Sequence, residues 1–197
     1  TAAVERLTAA LDDMLAYDRD IKIAIEPKPN EPMDQTYIPT VGHALALGAR
    51  TRDAKRVGVN IESAHVILAG LDPSDEIGFA LACGKLFSVH LNDQNGLKFD
   101  EDKSFGSVDL RRAFNQVRLL DEHDYGKGGE WVGLDVKALR TQKAEVATKH
   151  LSNSRTVFLR LLDLARSLDR GRMATLIAAR DYEELDLLIM THLLGGK

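Results

Sequence analysis

The chain has 197 residues, 44% hydrophobic and 28% charged, with a net charge of −4, which is the composition of a globular domain long enough to bury a core. Acids and bases are interspersed, so no basic block invites nucleic acid, and no apolar run approaches the roughly 20 residues of a membrane span. The single cysteine, Cys83, leaves no internal disulfide within this sequence and fits a reducing, cytoplasmic setting.

The opening "TAAVERLTAALDDMLAYDRD" has neither an initiator Met nor a signal-peptide pattern. It reads as a helix already under way, and so as a portion of a longer protein. Val4, Leu7, Leu11, Met14 and Leu15 share one side, which predicts a helix over 3–19. "IKIAIE" (21–26) reads as a strand running into a Pro-rich loop, and "PTVGHALALGARTRDA" as a helix with Thr40 at its N-cap. "RVGVNIE" (56–62) is a second strand. "DPSDEIGFALACG" is a helix opening at Asp or Ser and closing near Gly84, with Cys83 expected on its buried face as an inert thiol. "LFSVHLN" (86–92) is a third strand, "SVDLRRAFNQVRLLDEH" a helix and "EWVGLDV" (130–136) a fourth strand, in which Trp131 is expected to pack. Apolar residues at helical spacing from 143 to 168, then near 172–180 and 182–194, complete the chain.

Short apolar strands alternating with amphipathic helices signal parallel βαβ units, and strands this apolar are expected to be covered on both faces. No GxGxxG follows a strand, so the dinucleotide fingerprint is absent. A doubly wound sheet and part of a (β/α)8 barrel both satisfy this pattern.

The ends of the strands carry the chemistry. The first closes on Glu26, the second on Glu62, the third on His90 followed by Asn92, and the fourth holds Asp135. In parallel α/β folds these C-terminal ends share one rim, where sites are built. Three carboxylates and an imidazole in equivalent places form a ligand set for Mg²⁺, Mn²⁺ or Co²⁺ rather than a structural zinc. His65, three residues after Glu62, and Asp100 and Asp102 in the "FDED" loop could hold a second cation with Glu62 as a bridge. Lys28, between Pro27 and Pro29, sits on a stiffened loop two residues from Glu26 and could aim an ammonium at a developing oxyanion. Singly, each residue has a plainer reading: a carboxylate satisfied by backbone, a hydrogen-bonded core histidine, solvated loop charges, a surface lysine. Such causes would have to coincide at every strand end. His43, His123, His150 and His192 receive no role.

At these residues the sequence resembles the xylose isomerase family. The motifs are "EPKPNEP" (26–32), "PTVGHALA" (39–46), "NIESAH" (60–65), "GKLFSVHLNDQNGLKFDED" (84–102) and "LDVKALRT" (134–141), in order from about 20 to 145, with the last 50 residues similar only as a helical tail. The resemblance implies a (β/α)8 TIM barrel acting as an aldose–ketose isomerase with two divalent cations. Glu26, Glu62, His90 and Asp135 would hold the first, and Glu62, His65, Asp100 and Asp102 the second. Lys28 would contact the substrate carbonyl oxygen, Asp102 would lie near a water, and hydride would pass between C1 and C2 of a monosaccharide.

Two departures stand out. His90 occupies a position where xylose isomerases usually carry aspartate and where rhamnose isomerases carry histidine, which shifts metal preference toward Mn²⁺ or Co²⁺. The chain also falls short of the roughly 250 residues of a barrel. Its four βα units match the family's second half, without the half that carries the ring-opening histidine and the aromatic pocket wall. The expectation is one partial TIM-barrel domain over 1–197, with βα units over 20–145 and a helical tail over 146–197. Expected partners are a monosaccharide and a homo-oligomer (dimer or tetramer) or self-complementing half-barrels, with no nucleic acid and no membrane. A rhamnose-type isomerase and an inactive half-barrel that binds metal or a partner chain are the alternatives. A metal-dependent phosphodiesterase or DNA-repair barrel ranks below them, because the chain is acidic and has six histidines.

Overall fold

Four short strands lie side by side in the order in which the chain makes them: β1 (Ile23–Ile25), β2 (Val57–Glu62), β3 (Leu86–Leu91) and β4 (Trp131–Leu134). Each runs parallel to its neighbour, with Ile25 opposite Val59, Glu62 opposite His90 and His90 opposite Gly133. The computed structural model describes residues 1–195. A doubly wound sheet reverses its strand order at a switch point. This sheet does not, so the architecture is a partial α/β barrel, half of a TIM-type wall followed by a helical tail.

The strands alternate with α1 (Ala2–Tyr17), α2 (Val41–Gly48), α3 (Ser63–Leu68), α4 (Pro73–Ala82) and α5 (Leu110–Glu122); α6 (Lys149–Ser167), α7 (Arg170–Ala179) and α8 (Tyr182–Leu193) close the chain. Helix caps follow local chemistry. Asp72, Asp109, Asp169 and Asp181 accept backbone N–H bonds at the starts of α4, α5, α7 and α8. Thr40 precedes α2 as expected, but its hydroxyl pairs with His43 Nδ1 at 2.8 Å instead of with the backbone. The guanidinium of Arg56 donates to the carbonyls of Leu15, Asp18 and Ile21, satisfying the end of α1.

One face of the sheet is apolar. Val59, Ile61, Val89 and Leu91 are fully buried against Val41, Ala44, Ile77, Ala80, Phe114 and Val117 of the helices, and Leu161, Ala165 and Ile189 extend this core into the tail. The other face carries Asn60, Glu62, His90 and Gly133, and Ala24 there is exposed. The expectation of two covered faces therefore holds for β2, whose six residues are all buried, and is not met in β1 and β4. β1 and β4 are open edges, and Trp131, expected to pack, is 80% exposed at the start of β4. Cys83 is exposed too. The buried face of α4 runs through Pro73, Ile77 and Ala80, but the helix ends at Ala82 and the chain turns at Gly84 (φ 64), which takes Cys83 off that face. Gly58 allows β2 to pass β3 where their register shifts, since a Cβ there would lie 2.5 Å from the Lys85 carbonyl.

Candidate metal centre

The parallel register sets the site. Because Glu62 pairs with His90 and His90 with Gly133, the C-terminal ends of β2, β3 and β4 are level, and Glu26 follows β1 on the same rim. Asp135 lies one residue beyond β4 rather than inside it. His90 Nδ1 is the centre of the first cluster: 3.3 Å from Glu26 Oε2, 3.8 Å from Asp135 Oδ2 and 4.0 Å from Glu62 Oε2. The imidazole can lie there because residue 133 is glycine; a Cβ at 133 would come within 2.8 Å of His90 Cδ2. Asn60 donates to Glu26 and lies 3.1 Å from His90 Nδ1.

A second cluster shares Glu62. His65, on the first turn of α3, places Nε2 3.2 Å from both Glu62 Oε1 and Asp100 Oδ2, and Nδ1 3.5 Å from Glu26 Oε1. Glu62, Asp100 and Asp102 form a carboxylate triplet with mutually close oxygens. The loop that carries both aspartates is braced from within. Asp93 and Lys103 exchange backbone hydrogen bonds at 2.9 Å across its base. The Gln94 amide donates to the carbonyls of Gly96 and Phe99 and accepts from Glu101 N–H. Asp102 itself adopts φ 44, a left-handed conformation that Asp tolerates better than most residues and that costs about 1 kcal/mol or more.

Two lysines enter the cluster. Lys28 Nζ donates to Asp100 Oδ2 at 2.6 Å, with Glu31 at 3.7 Å. The loop behind it is pinned by Lys28 N–H on the Ile38 carbonyl and by the Thr36 hydroxyl on the Lys28 carbonyl. Lys137 pairs with Asp102, and its N–H donates to the Asp102 carbonyl at 2.8 Å. Lys137, Asn60 and the contacts of Asn92 were not singled out from sequence. The signal for Lys137 is its place two residues after Asp135, the same offset as Lys28 from Glu26.

The electrostatics would suit a cation. Five carboxylates (Glu26, Glu62, Asp100, Asp102 and Asp135) face two ammonium groups, and Glu62 is only 2% exposed. Burial, with the charges of Glu26, Asp102 and Asp100 adding to it, pushes Glu62 up to about 10. Burial also raises Asp102, with Lys137 opposing and the Asp100 charge reinforcing. Burial works against ionised Asp100, yet hydrogen bonds from His65 and Lys28 hold it well below the usual carboxylate range. Glu26 likewise stays low despite burial, because His90 and His65 adjoin it, and the Glu26 hydrogen bond in turn raises His90. Asp100 Oδ1 and His65 Nδ1 are buried with no hydrogen-bond partner. Crowded carboxylates, orphaned polar atoms and imidazole nitrogens facing the oxygens fit divalent cations: Glu26, Glu62, His90 and Asp135 around one, and Glu62, His65, Asp100 and Asp102 around another.

Of the remaining histidines, His192 Nε2 lies 2.8 Å from the Leu164 carbonyl and His123 Nδ1 lies 3.0 Å from that of Leu119. Among the described residues no helix is long and apolar enough to cross a membrane.

Comparison with known proteins agrees with this geometry. The model of the family described as "Xylose isomerase-like TIM barrel" matches residues 1–142. A xylose isomerase of Streptomyces lividans is 34% identical over 237 aligned positions, covering 99% of this chain and 59% of the relative. The crystal structure of a D-tagatose 3-epimerase-like protein superposes with a TM-score of 0.61 at 18% identity, covering 81% of this chain and 55% of the other, and so shares the fold. The chain thus spans somewhat more than half the length of each.

Proposed function

The chain belongs to the xylose isomerase-like TIM barrel family, and from that premise we propose that it is the cation-binding half of an aldose–ketose sugar isomerase. The observation that carries the reading is the convergence of Glu26, Glu62 and Asp135 on His90 Nδ1, all within 4.0 Å, from four separate strand ends. Two divalent cations held here (Mn²⁺, Mg²⁺ or Co²⁺) would supply Lewis-acid polarisation of sugar oxygens. Glu62 serves both positions. Lys28 carries three N–H donors, so it can hold Asp100 and still donate to a carbonyl oxygen as charge develops there. Asp102, raised by burial, would take and return the hydroxyl proton. In the aldose-to-ketose direction, hydrogen and its bonding pair pass from C2 to C1 and the C2 hydroxyl proton ends on the C1 oxygen, with no outside oxidant or reductant.

Two features support narrower readings. The imidazole of His90 among the carboxylates favours Mn²⁺ or Co²⁺ over Mg²⁺ and leaves a rhamnose-type substrate open. The open edges of β1 and β4 suit a chain that acts only when the wall is completed, by further chain or by a second copy. Calorimetric titration of the 197-residue chain with Mn²⁺, Co²⁺ and Mg²⁺, followed by an assay on a panel of aldoses, tests the proposal. Two cations per chain are expected, and no binding at millimolar Mn²⁺ would overturn it.

A further inference from the structure

The side chain of Asn92 ties together four separate segments around the site. It is 1% exposed, one residue past β3, beneath the carboxylates. Its Oδ1 accepts from Ala64 N–H at 2.7 Å, holding the start of α3. Its Nδ2 lies 2.9 Å from Glu62 Oε1, 2.9 Å from Asp102 Oδ1 and 2.9 Å from the Asp135 carbonyl. One amide therefore joins the end of β2, the Asp102 loop and the end of β4.

We infer that Asn92 is the positioning residue that sets the two cation positions relative to each other. The inference rests on the two-cation reading above. An amide has two hydrogens on Nδ2, and here they meet three acceptors, so the donor side is saturated. Two of those acceptors belong to the carboxylates of Glu62 and Asp102. Once bound cations ionise both, these like charges would turn apart without a donor between them. With it, each carboxylate commits one oxygen to Asn92 and presents the other outward: Glu62 Oε2 toward His90, and Asp102 Oδ2 toward Lys137. The Asp135 carbonyl, held by the same nitrogen, fixes the backbone from which the Asp135 carboxylate reaches the first cluster. Leucine would supply no donor, and aspartate would add another negative group. Groups that hold metal ligands in place in this way typically govern affinity by about 10–100-fold.

The test is stepwise Mn²⁺ affinity of the 197-residue chain by calorimetry, with the electron paramagnetic resonance spectrum of the bound Mn²⁺ as the second readout. Asn92→Ala should weaken both binding steps together by about 10–100-fold and change the spectrum, because Glu62 serves both positions. Should Asn92→Ala fail to fold, Asn92→Ser serves. Its single O–H cannot bond both carboxylates, and a loss of about tenfold or more is expected. Asp72→Ala, which removes the cap of α4 away from the rim, should lower stability and leave Mn²⁺ affinity unmoved. Wild-type chain that binds two Mn²⁺, with Asn92 variants that bind them within threefold and with an unchanged spectrum, would reduce Asn92 to a tether for α3 and overturn the inference alone. Wild-type chain that binds none would overturn the inference and the two-cation reading together.

Discussion

Glu62→Gln separates what the carboxylate does for cations from what it does to the fold. Without cations, burial and three neighbouring carboxylates raise Glu62 from 4.5 to about 10. The folded chain then keeps a proton on Glu62 across that interval, whereas the unfolded chain gives it up near 4.5. The folded state binds more protons throughout the window, so the stability from this group is complete below 4.5 and declines as pH rises toward 10. At pH 7 two and a half units have been crossed, which at about 1.4 kcal/mol per unit is about 3 kcal/mol. The substituted amide cannot ionise and still offers Asn92 an acceptor. The metal-free variant should therefore be up to about 3 kcal/mol more stable at pH 7, roughly 6–12 °C in Tm for a chain of this size. The gap should widen from pH 5 to pH 8. Added Mn²⁺ should reverse the order, because the wild type gains binding energy that the variant lacks. Thermal melts followed by circular dichroism, in chelator and then in Mn²⁺, measure all of this. A metal-free variant less stable than wild type at pH 7, or an equal Mn²⁺-induced shift in both proteins, would refute the reasoning.

Three other substitutions probe the remaining parts of the site. Lys28→Met, assayed in the completed barrel, should lower isomerase turnover by about 100-fold or more, while Mn²⁺ affinity by calorimetry changes less than about tenfold; an equal loss of both would make Lys28 structural. His90→Asp replaces a nitrogen donor with an oxygen, and should lower the ratio of Co²⁺ to Mg²⁺ affinity in competition titrations; an unchanged ratio would remove His90 from the ligand set. Gly133→Ala places a Cβ 2.8 Å from His90 Cδ2. It should turn the imidazole away and weaken the first binding step by about tenfold or more at a stability cost of about 1–3 kcal/mol, and retention of wild-type binding would show that the ring tolerates the methyl.

Much of this protein was legible along the chain because its signals are local. Strand and helix periodicity is written in consecutive residues, and a ligand at the end of each apolar run marks a rim whatever the sheet does next. So Glu26, Glu62, His65, His90, Asp100 and Asp102 could be named together, and the structure brings them within a few ångströms of one another. Helix α3 was missed, because "SAHVIL" follows β2 with no Gly or Pro between them and is apolar enough to pass for a continuing run. The alternation of elements alone does not decide strand order, since a doubly wound sheet and a barrel segment share it. The motif resemblance pointed to the barrel, and the pairing of β1 with β2, β2 with β3 and β3 with β4 agrees with it. Burial of Cys83 and Trp131 was misjudged for a related reason: hydrophobicity states what a side chain prefers, while a helix stop at Ala82 and an open sheet edge at β4 decide what covers it. Asn92 shows the division most clearly. Its sequence position put it near the rim, but a neutral amide has no chemistry of its own to announce. Its importance lies in three acceptors at 2.9 Å from three separate segments, a relation that exists only once the chain has folded.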